Sequence, residues 1–116
     1  MSVQVYGIPS CTTVRKSLKW LDSRNVAYEY TPFAKVPDLA TALRTWIDSA
    51  GQDRVMNARA ATFRALPQPE QERMKSDVDF AIARMVADPR LIKRPVLVAG
   101  TTVATGFDEA EWRDAI

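Results

Sequence analysis

Histidine is absent from these 116 residues, and cysteine occurs once, at Cys11. Without an imidazole, histidine-ligated metal sites, a Ser-His-Asp triad and a Cys-His dyad are all excluded. With a single thiol no internal disulfide can form, so nothing points to a disulfide-built secreted scaffold. Long apolar runs are missing as well: the longest, near residues 95–99, is far too short to span a bilayer. The opening Met-Ser-Val-Gln-Val-Tyr has neither the basic nor the apolar region of a secretory signal. A bacterial cytoplasm is the expected location, since it keeps a lone thiol reduced. No charge of one sign dominates. Lys and Arg total 16, Asp and Glu total 14, and the net charge of +2 is no footprint for nucleic acid.

What is present is ordinary globular material: 47% of the residues are hydrophobic, and the length suits one domain with a real core. The stretch that organises it is Val3-Gln4-Val5-Tyr6-Gly7-Ile8-Pro9-Ser10-Cys11-Thr12-Thr13-Val14-Arg15-Lys16. Val3 and Val5 alternate with polar neighbours, as in a strand. Gly7 and Pro9 break the strand. Ser10, Thr12 and Thr13 suit a helix N-cap, and Val14, Leu18 and Leu21 then recur at helical spacing. Cys11 thus falls at a strand–turn–helix junction. A lone cysteine is more often a small buried apolar residue. At a helix N-terminus, however, its sulfur meets unpaired N–H groups and the positive end of the helix dipole, which favour the reactive thiolate. Arg15, four residues on, would share the thiol's face if Cys11 continued the helical geometry, and would lower its pKa.

Downstream, the first helix is expected over about residues 12–24, with Leu18, Leu21 and an edge of Trp20 inward, and with Asn25 as its stop. Residues 27–31 read as a second strand, which makes a parallel βαβ unit. Pro37-Asp38 opens a helix whose Leu39, Leu43, Trp46 and Ile47 share a face, and Gly51 ends it. Residues 52–88 stay helical, with an amphipathic stretch at 77–86. Pro95 begins the apolar strand Val96-Leu97-Val98, Gly100-Thr101 turns, and Thr102-Val103-Ala104-Thr105 completes a hairpin. Asp108 to Glu111 resembles a capping box before a final short helix. The order is β-α-β, a helical block, then β-β-α: an α/β core with an insertion between its two halves.

Four pieces of this chain resemble the ArsC-like family of thioredoxin-fold proteins, which includes arsenate reductases, YffB-type reductases and Spx regulators. They are Tyr6-Gly7-Ile8-Pro9-Ser10-Cys11-Thr12-Thr13-Val14-Arg15-Lys16; Val55-Met56-Asn57-Ala58-Arg59-Ala60-Ala61-Thr62-Phe63-Arg64-Ala65-Leu66; Leu91-Ile92-Lys93-Arg94-Pro95-Val96-Leu97-Val98; and Gly106-Phe107-Asp108. The second resembles the YffB form. The resemblance implies a thioredoxin-like core, residues 1–33 and 90–116, with a four-stranded mixed sheet and a helical insertion at 34–89. It implies Cys11 as nucleophile, Arg94 as the binder of an oxyanion or thiol substrate, and a cis Arg94–Pro95 bond. Arg59 stands two residues beyond Asn57, which holds the place of an anion-binding arginine in arsenate reductases. A further arginine of those enzymes has no counterpart near Thr105-Gly106, and Val14 replaces their serine. Three fixed guanidinium groups suit an arsenate trianion better than the set present here.

The expected function is therefore a thiol-dependent, arsenate-reductase-like oxidoreductase of the YffB kind. It has no bound cofactor or metal, and glutathione or glutaredoxin supplies the second thiol. Its substrate is a small thiol or oxyanion, held by Arg15, Arg59 and Arg94 and by N–H groups at Thr12 and Thr13. The alternative is a non-enzymatic, Spx-like regulator that binds RNA polymerase. Val14 occupies the second position of the Cys-x-x-Cys pair usual in such regulators, so an intramolecular disulfide switch is impossible. A phosphatase-type loop needs Cys-x5-Arg, and Ser17 stands where that arginine would be.

Overall fold

The computed structural model describes residues 2–116. Two compact units divide the chain, one running through Val36 and resuming at Arg94–Ile116, the other spanning Pro37–Lys93.

The first unit is built on a four-stranded sheet in the order β2-β1-β3-β4, with β1 at Val3–Gly7, β2 at Tyr28–Pro32, β3 at Val96–Ala99 and β4 at Thr102–Thr105. β1 and β2 are parallel, Val5 opposite Tyr30, as a strand–helix–strand crossover requires. β3 runs antiparallel to both β1 and β4, with Val5 opposite Leu97 and Leu97 opposite Ala104. This is the mixed sheet of the expected thioredoxin-like α/β core. Period-two alternation places Val3, Val5, Leu97, Ala99 and Ala104 together in a buried cluster with Leu21 and Trp112.

Helix α1, Thr12–Ser23, buries Val14, Ser17 and Leu21. Its exit is a Schellman turn. Asn25 adopts φ 57°, the Val26 N–H reaches the Leu21 carbonyl at 3.1 Å, and the Asn25 N–H reaches the Asp22 carbonyl at 3.1 Å. Val26 then packs against the Leu21 cluster, the apolar contact that usually accompanies this cap. The last helix of this unit, Glu109–Ala115, is capped by Asp108, whose carboxylate accepts the Glu111 N–H at 3.0 Å. The chain's two ends are joined by an aromatic trio. Phe107 and Trp112 meet edge-to-face at 5.1 Å, and Trp20 meets them at 5.8 and 6.3 Å. The Trp20 indole N–H donates to Glu109 at 2.8 Å, so this residue is packing with its polar edge satisfied.

The second unit contains five helices, α2 Leu39–Ala50, α3 Gln52–Val55, α4 Ala61–Arg64, α5 Gln68–Ser76 and α6 Val78–Ala87; the last helix of the first unit is therefore α7. Asp38 caps α2 through the Thr41 N–H and Asp77 caps α6 through the Phe80 N–H, each at 3.1 Å. Gly51, at φ 100°, ends α2. A short antiparallel bridge closes the unit, Met56 opposite Ile92. The Asn57 N–H donates to the Leu91 carbonyl at 2.8 Å and the Lys93 N–H to the Val55 carbonyl at 2.7 Å.

One glycine fixes how closely α1 approaches β1. A Cβ on Gly7 would lie 2.7 Å from Val14 Cγ2 and 3.2 Å from Cγ1. That contact leaves no room for a methyl group, so Gly7 sets the height of the helix start above the strand. Gly7→Ala should therefore cost about 1–3 kcal/mol in urea denaturation through overpacking. Because the clash is with Val14, the Gly7→Ala/Val14→Ala pair should be less destabilised than the sum of its single variants. Additive costs would show that the close approach is not the cause.

Candidate functional site

Cys11 is the N-cap of α1. Its own N–H donates to the Ile8 carbonyl at 3.0 Å, closing the turn after β1, and its carbonyl accepts the first helical bond, from Arg15 at 3.1 Å. The cap position falls on the cysteine itself rather than on the neighbouring Ser10, Thr12 or Thr13. The thiol is partly exposed and free. Burial pushes its pKa up, but the backbone N–H groups of Val14 and Thr13 and the Arg94 guanidinium, which hydrogen-bonds the sulfur and adds its charge, outweigh burial. The thiol is held below the ordinary cysteine range. The sulfur makes no cap hydrogen bond of strict geometry. A large, diffuse sulfur instead draws on several N–H dipoles at once, as at other helix N-termini.

Arg94 directly precedes β3, and the Arg94–Pro95 peptide is cis. The Pro95 carbonyl accepts the Gly106 N–H at 2.9 Å, which ties this turn to the end of β4. The first and third sequence pieces, far apart in the chain, therefore meet because β1 and β3 are paired neighbours.

Arg15 does not join them. Cys11 has φ −75° and ψ 124°, extended rather than helical, so the four-residue spacing no longer puts the two side chains on one face. Arg15 is exposed and lines a shallow basic depression with Thr12, Lys16 and Lys19. The cation that lowers the thiol is Arg94, and the expectation that Arg15 does so is corrected. Thr13 contributes its backbone N–H, and Thr12 is exposed on the first turn of α1. Arg59 belongs to the second unit, exposed within the turn that the Ala60 N–H closes onto the Asn57 carbonyl at 3.2 Å. Ser17 is fully buried and donates to the Val14 carbonyl at 2.6 Å, a structural position. Tyr30 escaped the sequence reading. Burial raises its phenol above the ordinary tyrosine range, and the charge of Cys11 raises it further. Its register opposite Val5, two residues before Gly7, was the available signal.

The chain matches the ArsC family over residues 6–115 and belongs to it. It is 33% identical to an uncharacterised protein of Haemophilus influenzae over 114 residues, 97% of each chain. It is 26% identical to the global transcriptional regulator Spx of Listeria innocua over 120 residues, 96% of this chain and 84% of that protein. Among solved structures it is similar to the YFFB protein, with 35% identity, a TM-score of 0.84 and 97% of each chain covered. It is also similar to an arsenate reductase (ArsC) related protein from Brucella melitensis, with 30% identity, a TM-score of 0.80 and coverage of 98% and 93%. No described helix is long and apolar enough to cross a membrane.

The two arginines are separable by experiment. Arg94→Ala removes the guanidinium beside the sulfur and should raise the thiol pKa, so alkylation of Cys11 by iodoacetamide at pH 7 should slow. Arg15→Ala should leave that rate within about twofold, the size of a screened surface charge. Equal slowing by both variants would restore Arg15 to the thiol's environment.

Proposed function

We propose that this chain is a thiol-dependent reductase in which Cys11 is the nucleophile and glutathione, or a glutaredoxin carrying it, is the reductant. The observation that carries this reading is the lowered Cys11 thiol, held by the α1 N–H groups and Arg94. The thiolate attacks the glutathione sulfur of a mixed disulfide between glutathione and the substrate. A new Cys11–sulfur bond forms, the substrate disulfide breaks, and the departing sulfur leaves as a thiolate. A glutathione thiolate then attacks the adduct, returning the Cys11 thiolate and leaving oxidised glutathione. Both electrons come from glutathione, as a chain with one cysteine requires.

Arg94 holds a carboxylate of the tripeptide or an oxyanion, and the exposed Arg15 and Thr12 stand on the first turn of α1. The family and its arsenate-reductase-related members support a reductase of this general class. With no third guanidinium at Thr105-Gly106, disulfides and glutathione adducts are the preferred substrates over arsenate. The Spx relatives favour a second reading, a binder of RNA polymerase that works independently of Cys11. An activated thiol with no partner cysteine is chemistry that such a binder does not need.

Cys11→Ser should abolish glutathione-dependent reduction of 2-hydroxyethyl disulfide while leaving the circular dichroism spectrum unchanged. Arg94→Ala should retain the fold and lose about tenfold or more in rate, as expected for one charge-assisted hydrogen bond. Full activity in Cys11→Ser would overturn the reading, and capture of polymerase subunits by that same variant would favour the binder.

A further inference from the structure

α1 carries a row of cations that the thiol does not use. Arg15, Lys16 and Lys19 are exposed, and with Thr12 they line a depression of about 290 Å³. The thiol draws instead on Arg94 and backbone N–H groups. Among the described residues, none of the three cations makes an ion pair. In the second unit, by contrast, Arg44, Arg73, Arg84 and Arg90 each meet a carboxylate. Two acids on or against α1 are engaged elsewhere. Asp22 takes a hydrogen bond from the Tyr28 phenol, and Glu109 accepts the Trp20 N–H at 2.8 Å.

This charge pattern works against the helix that carries it. Arg15 and Lys19 are like charges four residues apart, which repel each other. The first turn of α1 holds no acid, although a carboxylate there would suit the helix dipole. A face kept only for solubility gains nothing from excluding acids. Uncompensated charge of one sign fits a partner surface of the opposite sign and speeds encounter with it.

The length of the row selects the size of that partner. Thr12 adjoins the partly exposed Cys11, and Arg15 and Lys19 follow it by four and eight residues. Along the helix axis they stand roughly 6 and 12 Å from the cysteine. An extended tripeptide spans roughly 10 Å, so glutathione joined through its central sulfur reaches about half that to either side. It stops short of the far end of the row at Lys19. A protein footprint of about 800 Å² covers the thiol and the row together.

We propose that Arg15, Lys16 and Lys19 dock the acidic surface of a protein thiol donor, which takes glutathione off Cys11. This rests on Cys11 being the nucleophile of a reductase. The donor's thiolate attacks the glutathione sulfur of the Cys11 adduct. A donor–glutathione disulfide forms, the Cys11–sulfur bond breaks, and Cys11 departs with the electron pair as a thiolate. One disulfide replaces another in this step, and the oxidising equivalent passes to the donor.

The test starts from the full chain carrying glutathione on Cys11, reduced either by a glutaredoxin with an acidic surface or by free glutathione. Second-order rate constants are measured in about 10 mM and about 300 mM sodium chloride, which spans weak and strong screening. With glutaredoxin, the wild-type rate should fall about tenfold from low to high salt. Lys16→Glu/Lys19→Glu should lose about tenfold at low salt and keep little salt dependence, whereas Lys16→Arg/Lys19→Arg should match wild type. Free glutathione should reduce all three chains within about twofold of one another. A glutaredoxin rate indifferent to salt and to charge reversal would overturn the proposal. Equal slowing with both donors would also overturn it, by giving the row to the tripeptide. So would inhibition by phosphate beyond that of sodium chloride at equal ionic strength, which would mark a site for a small oxyanion. If neither donor releases glutathione from Cys11 faster than from a glutathione–cysteine disulfide in solution, the reductase reading fails, and this proposal with it.

Discussion

The negative charge that can form on Cys11 is the interaction on which the site depends. Burial opposes it, and three features support it: the N–H groups of Val14 and Thr13, the positive end of α1, and the Arg94 guanidinium. None of these is supplied by a general base. With no histidine in the chain, the sulfur relies on backbone dipoles and one cation. That arrangement needs the helix start at a fixed height and the β3 entry at a fixed position. The Gly7–Val14 contact supplies the first, and the pairing of β1 with β3 the second.

These two requirements explain much of the surrounding architecture. Gly7 stands where β1 ends, and a side chain there would press on Val14 in the first turn of α1. The aromatic trio of Trp20, Phe107 and Trp112 fastens the far part of α1 to the C-terminal segment. The buried strand cluster, with Leu21 and Trp112 over Val5 and Leu97, holds the sheet beneath them. Within the second unit, the Met56–Ile92 bridge and the Lys93 N–H bond to the Val55 carbonyl close the fold on itself.

Most of this fold was legible in the sequence, because its signals are local. Period-two valines marked β1, helical spacing marked α1 and α2, and Asp38, Asp77 and Asp108 proved to be side-chain caps. Cys11 and Arg94 were legible as a pair through the resemblance alone, because no local rule joins residues 83 positions apart. Arg15 misled because the four-residue rule holds only inside a helix, and a cap residue has extended backbone angles. Tyr30 was hidden for a related reason. An aromatic in a strand signals packing, and only the parallel register puts it opposite Val5, on the face that α1 covers. The sequence signalled no packing role for Phe107, whose ring meets those of Trp20 and Trp112.

The measurement that tests this account most directly is a pH titration of the Cys11 thiolate by its ultraviolet absorbance, with Cys11→Ser as the blank. The account predicts a midpoint below the free-cysteine value of about 8.5. A midpoint at or above that value would mean that the helix start and Arg94 do not act on the sulfur, and would contradict the account at its centre.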